Sequence, residues 1–220
     1  LLGRQGISSG VILDPFAGAG TALFVASGLG LNAHGIELLP IGQEIIRTRL
    51  LLERHLHTAH FSRLRQWIDK KPWKSSHTRI PLPTLRITEG AYPPATVEDI
   101  EKYLAALQLE DPTVQQLLRF ALLCILESIS YTRKDGQYLR WDYRSGRRQG
   151  AMRFDKGPIL EFNHAISAKL TQIVSDLSCG DIPLAMFPRA DPAGTVELLA
   201  GSCLEILPTL AETTYDAVVT

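Results

Sequence analysis

The hydrophobic pattern begins with Val11-Ile12-Leu13, a short apolar run of strand type, which passes through small residues into helical spacing from Thr21 towards Gly28. A second strand pattern, Ala33-His34-Gly35-Ile36, ends in Glu37. Apolar residues at Ile41, Ile45, Leu52 and Leu56 then predict a second helix, with Pro40 suited to its first turn. Strand, turn, helix, strand, helix is half of a doubly wound sheet. The alternation then stops. From His60 to Arg86 the chain is polar, basic and aromatic, and Pro72, Pro81 and Pro83 predict an irregular connection. Further on, Thr96 is placed to cap a helix reaching Leu107. Asp111-Pro112 starts a stronger one, on which Val114, Leu117, Leu118, Ala121, Leu122, Ile125, Leu126 and Ile129 form a wide apolar face. Another helix spans about Ile159 to Leu177, with Ile166, Leu170, Ile173, Val174 and Leu177 inward. Strand character returns at Val196 to Leu199 and, after a short helix around Leu204 to Leu210, at Ala217-Val218-Val219.

The joint between the first strand and the first helix carries the chemistry. Asp14-Pro15-Phe16-Ala17-Gly18-Ala19-Gly20-Thr21 puts an acid at the strand end, glycines where a backbone must approach a ligand closely, and Thr21 where the unpaired N–H groups of a helix lie. Glu37, at the tip of the second strand, can accept hydrogen bonds from both hydroxyls of a ribose. A phosphate loop would need Gly-Lys-Ser/Thr, but the chain has Gly20-Thr21-Ala22. A dinucleotide fingerprint would need a third glycine where Leu23 stands.

The eight-residue string, followed by Gly35-Ile36-Glu37, resembles the cofactor motif of the amino-methyltransferases, which include the DNA N4-cytosine and N6-adenine methylases and some RNA guanine methylases. The resemblance implies a Rossmann-like, S-adenosylmethionine-dependent α/β sheet. It gives Asp14, Phe16, Ala17, Gly18, Gly20 and Thr21 to the surroundings of the methionine moiety, and Glu37 to the ribose. Ser202, in Gly201-Ser202-Cys203, stands where the family often has an acid contacting the adenine amine. The family's catalytic Ser/Asp/Asn-Pro-Pro-Tyr tetrapeptide is expected just after Thr220, so no catalytic residue is assigned within the chain.

The core is thereby split: residues 1–57 and 196–220 are expected to form the methyltransferase core, and 58–195 a long, mainly helical insertion. That order resembles one among DNA amino-methylases with a target-recognition region in this place. Within it, Tyr131 to Arg153 carries Arg133, Lys134, Arg140, Arg144, Arg147, Arg148 and Arg153 against Asp135 and Asp142, interleaved with Tyr131, Tyr138, Trp141 and Tyr143. Guanidinium groups can hold phosphates and aromatic faces can stack on an unpaired or displaced base, and both suit an enzyme that must extrude a base before modifying it. Arg133, Lys134, Arg140, Trp141, Arg144, Arg147 and Arg148 are therefore the candidate nucleic-acid contacts. The bland alternative is a solvated hairpin turning at Asp135-Gly136.

Composition narrows the partners little. Lys plus Arg equals Asp plus Glu at 23 each over 220 residues, so any attraction to a polyanion is local. Cys124, Cys179 and Cys203 are scattered, which fits a reducing compartment and neither a zinc site nor a disulfide framework. His55, His57 and His60 place no pair at i, i+4, and no metal is expected. Lys70 to Lys74 reads as a solvated linker. No membrane-length apolar run or signal pattern occurs, so the expected location is the cytoplasm. The start at Leu1 and the end inside a strand pattern suggest that both ends are cut. The implied function is methylation of an exocyclic amino nitrogen of cytosine or adenine in double-stranded DNA, with a flipped target base, in a restriction-modification setting. A non-catalytic nucleic-acid-binding subunit or remnant, and an RNA guanine-N2 methylase, are the alternatives.

Overall fold

The computed structural model describes residues 7, 9–54, 57–136, 138–148, 152–178 and 193–219. Two compact units divide the chain, one formed by residues 1–56 with 179–220, the other by 57–178.

In the first unit, β1 (Val11–Asp14), α1 (Thr21–Gly28), β2 (Asn32–Glu37), α2 (Pro40–Arg54), β5 (Val196–Ala200), α7 (Cys203–Ile206) and β6 (Ala217–Val218) build a mixed α/β fold around a parallel sheet of order β5-β2-β1-β6. β1 is flanked by β2 on one side and β6 on the other. The chain winds outward through β2 to β5 before returning for β6, so β1 lies at the point where the winding direction switches. Period-2 alternation turns Ile12, Ala33 and Val196 to one face, where they meet Leu23, Phe24 and Ala26 of α1 and Ile46 of α2 in one apolar cluster. Gly194 and Thr195 bond to Ser27 and Asn32, so the approach to β5 is fastened to the end of α1 and the start of β2.

The inward face of α2 differs from the expected one. Ile41 is 47% exposed, whereas Gly42 and Ile46 are buried and Leu50 packs against the cluster, an i, i+4, i+8 stripe. Counting only large apolar residues hid the stripe, because its first member is a glycine. Leu56 and His55 lie outside the described residues.

The second unit contains α3 (Thr58–Lys70), α4 (Pro94–Leu107), α5 (Pro112–Ile125), the antiparallel pair β3 (Thr132–Asp135) and β4 (Tyr138–Trp141), and α6 (Phe162–Ser178). α3 corrects the expected irregular connection from His60 to Arg86. The prolines of that segment all lie beyond Lys70, and Leu64 and Trp67, one helical turn apart, are the buried residues of a helix whose other positions are mostly polar or charged. Trp67, Trp73, Tyr103 and Phe162 interlock edge-to-face and stacked, with ring centroids 5.3–6.4 Å apart. Both indoles find acceptors: Trp67 donates to Glu110 and Trp73 to Asn163, each at 2.7 Å.

Asp111 caps α5 as expected, accepting from the amides of Thr113 and Val114. Thr96 does not cap α4. The helix begins at Pro94, whose fixed φ suits a first helical position, and Thr96 is buried in the first turn. α6 starts at Phe162, later than expected, because the carboxylate of Glu161 accepts from the His164 amide. His60, considered as a metal ligand, accepts the His57 amide through Nδ1 at the start of α3, and no group of three metal-ligating residues occurs among the described residues. Cys124 and Cys203 are free thiols, and Cys179 lies outside the described residues. Among the described residues no helix is long and apolar enough to cross a membrane.

Candidate cofactor site and basic hairpin

The loop from Pro15 to Gly20 is stitched over the end of β2. The Ala17 amide donates to the Ile36 carbonyl at 3.0 Å, and the Gly18 amide donates to Glu37 Oε2 at 2.7 Å. The Leu39 amide donates to the other carboxylate oxygen, Oε1, at 2.6 Å. Glu37 is 8% exposed, so each oxygen is oriented by one backbone donor and keeps a lone pair. The Glu37 carbonyl in turn accepts from the Gly201 amide at 3.0 Å and from Gln43 Nε2 at 2.9 Å. One residue thus ties together the loops after β1, β2 and β5.

Asp14 ends β1 with a buried carboxyl whose Oδ1 accepts the Phe16 amide at 3.0 Å. Burial raises its pKa above the ordinary range; the Phe16 hydrogen bond opposes this, and the charge of Glu37 adds to it. Gly18 and Gly20 adopt φ of 55° and 76°, left-handed values that L side chains rarely accept, and Gly20 leads into α1. Ala17 is buried beneath the loop, while Phe16, 69% exposed, and Thr21 face outward. Ser202 caps α7, its hydroxyl oxygen accepting weakly from the Leu204 amide at 3.3 Å, which leaves its proton to donate.

Sequence reasoning missed Gly42. A Cβ there would lie 2.7 Å from the Gly18 carbonyl oxygen and 2.8 Å from Glu37 Cγ, so the first turn of α2 presses against the loop only because the position is glycine. A glycine three residues into a helix, where a better helix former would cost less, was the available signal. The Leu39 amide and the Gln43 side chain were also missed, since a backbone donor leaves no mark in the sequence.

In the second unit the basic stretch forms the β3–β4 hairpin, turning at Gly136, followed by a 3-10 turn over Tyr143–Ser145. Its cations are not equivalent. Asp142, with no exposed surface, accepts from Arg144 Nε at 2.6 Å, Arg144 Nη2 at 2.9 Å and the amides of Arg144 and Lys156. The Arg144 guanidinium above all holds the Asp142 carboxyl well below the usual carboxylate range. The Lys156 ammonium reaches the carbonyls of Glu127 and Ser130 after α5, and its pKa is lowered by burial. Arg147 lies over the Trp141 ring, 3.6 Å from its centroid, and donates to the carbonyls of Arg86 and Glu89. Arg144 and Arg147 therefore fasten the hairpin to its own unit. Arg133, Lys134, Arg140 and Arg148 are exposed.

Known proteins resemble this chain along nearly all of it. The Type II methyltransferase M.AvaI, in Nostoc sp. and in Anabaena variabilis, is 50% identical over 209 residues, covering 95% of this chain and 43% of the relative. The Type II methyltransferase M.BsoBI of Geobacillus stearothermophilus is 33% identical over 239 positions, covering all of this chain and 45% of the relative. No family model matches, and no solved structure matches. The chain spans less than half the length of the curated relatives, and over that span it is a homologue of Type II methyltransferases.

Proposed function

We propose that this chain is the cofactor-binding and target-recognition part of a DNA methyltransferase of a restriction-modification system. The reaction moves a methyl group from S-adenosylmethionine to an exocyclic amino nitrogen, N4 of cytosine or N6 of adenine, in double-stranded DNA. The observation that carries the cofactor assignment is Glu37: a buried carboxylate fixed by the Gly18 and Leu39 amides at the carboxyl end of β2, with one lone pair per oxygen still available. The Type II methyltransferase relatives supply the reaction class and favour neither a non-catalytic remnant nor an RNA methylase.

In this reading Glu37 accepts from the two ribose hydroxyls. Asp14, Phe16, Ala17, Gly18, Gly20 and Thr21 surround the methionine moiety, and the Ser202 hydroxyl, able to donate or accept, faces the adenine. The bound cofactor supplies an electrophilic methyl group on a sulfonium; the chain's residues fix its position, and proximity and orientation provide much of the acceleration. Residues 58–195 act as the recognition region, whose hairpin meets phosphates and a flipped base. None of these 220 residues is assigned to holding the target amine, and the enzyme works in the cytoplasm beside its DNA.

The test is to incubate the full-length protein with unmodified duplex DNA and S-adenosylmethionine bearing a deuterated methyl, then to analyse the nucleosides by mass spectrometry. Labelled N4-methylcytosine or N6-methyladenine is expected. Label on C5 of cytosine, label only in an RNA substrate, or no label at all would overturn the assignment.

A further inference from the structure

Strand parity sorts the basic and aromatic residues of the hairpin into two faces. Thr132 stands opposite Trp141, Arg133 opposite Arg140, Lys134 opposite Leu139 and Asp135 opposite Tyr138. Directly opposed residues share a face and successive ones alternate, so Arg133, Asp135, Tyr138 and Arg140 lie together, away from the face of Thr132 and Trp141. Thr132 is buried, Trp141 is half-buried, and the Trp141 ring is covered by Arg147, itself held by two backbone carbonyls. A base reaching Trp141 would have to displace that guanidinium. Tyr138 is 78% exposed and makes no ring or cation contact among the described residues.

The Arg133–Arg140 juxtaposition points the same way. Like charges directly across a two-stranded ladder disfavour the pairing unless an anion sits between them. Asp135, diagonal to Arg140, pairs with it at 3.2 Å, but both side chains are more than half exposed, so this bond is weak and exchangeable. Phe154 lies under the Arg140 guanidinium, 4.2 Å from ring centroid to guanidinium carbon, which orients the group without consuming its donors.

We propose that Tyr138, not Trp141, is the hairpin residue that stacks on a DNA base, and that Arg133 and Arg140 seat a backbone phosphate beside it. The inference rests on the DNA methyltransferase reading for the identity of the polyanion. It reassigns the readout to the outer face and makes Arg144, Arg147 and Trp141 the frame that holds that face in place.

Binding of the full-length protein to a fluorescently labelled duplex, measured across a salt series, tests it. Tyr138→Ala is expected to weaken binding about five- to a hundredfold, with the salt slope unchanged. Tyr138→Phe keeps the ring and should restore most of the affinity. Arg133→Gln and Arg140→Gln should each reduce the slope of log affinity against log salt by about 0.9. All three sites are exposed, so folding is not at stake. Parental affinity in Tyr138→Ala, equal loss in Tyr138→Phe, an unchanged slope in both arginine variants, or tighter binding of an RNA hairpin than of the duplex would each overturn the inference. Nucleoside analysis of the parent separates two failures. A parent that methylates DNA while Tyr138→Ala binds as it does overturns only the Tyr138 assignment; a parent that neither binds nor methylates DNA overturns both.

Discussion

Replacing Glu37 by Gln tests the carboxylate's structural role before any ligand is added. In the folded chain its two oxygens accept the Gly18 and Leu39 amides at 2.7 and 2.6 Å. Glutamine offers one carbonyl oxygen and one NH2, so one of these backbone donors must face another donor. A hydrogen bond to a charged acceptor is worth about 1.5–3 kcal/mol, and stranding a buried donor costs about 1–3 kcal/mol; these describe one loss, giving an expected destabilisation of about 2–3 kcal/mol. Trp67, Trp73 and Trp141 all lie in the second unit, so indole fluorescence does not report on this site. Far-ultraviolet circular dichroism does. With a urea dependence of about 1–3 kcal/mol per molar, the midpoint associated with the first unit should fall by about 1 M. A variant whose circular dichroism transition coincides with the parent's would refute the claim that Glu37 holds the loops together.

Gly42→Ala should destabilise the same unit by about 1–3 kcal/mol, since its Cβ would overlap the Gly18 carbonyl oxygen, and should weaken binding of S-adenosylhomocysteine. Parental values for both would contradict the close approach of α2. Asp142 has a folded-state pKa below its unfolded one, so its stabilisation is complete above about pH 4 and is lost as the pH falls towards the lower value. Urea unfolding followed by tryptophan fluorescence should show that acid loss in the parent and a flatter pH dependence in Asp142→Asn; parallel profiles would rule it out. Arg144→Gln should lower the stability of the second unit while changing the salt slope of DNA binding less than Arg133→Gln does. The reverse order would return Arg144 to the phosphates.

Legibility followed the kind of physics at each residue. The β1 turn was readable because positive φ at Gly18 and Gly20 demands glycine, and Asp14 and Glu37 stood out because each ends a mainly apolar strand. The inward face of α2 was misread at Ile41 because Gly42 contributes closeness rather than apolar area. α3 was missed because its buried stripe is thin, Leu64 and Trp67 among charges, and the prolines beyond it lent their character to the whole segment. In the hairpin, composition marked a basic aromatic stretch but could not tell which of its side chains are already engaged within the fold. That depends on which strand pairs with which, and on Asp142, an acid that sequence reasoning merely subtracted from the charge.

The most direct measurement of the central claim is calorimetric titration of the parent and Glu37→Ala proteins with S-adenosylhomocysteine, with folding of the variant verified by circular dichroism. The parent should bind, and the variant should bind more weakly by about 1.5–3 kcal/mol through loss of charge-assisted ribose hydrogen bonds. A parent that gives no binding, or a folded Glu37→Ala protein that binds as tightly as the parent, would contradict a cofactor site built on Glu37.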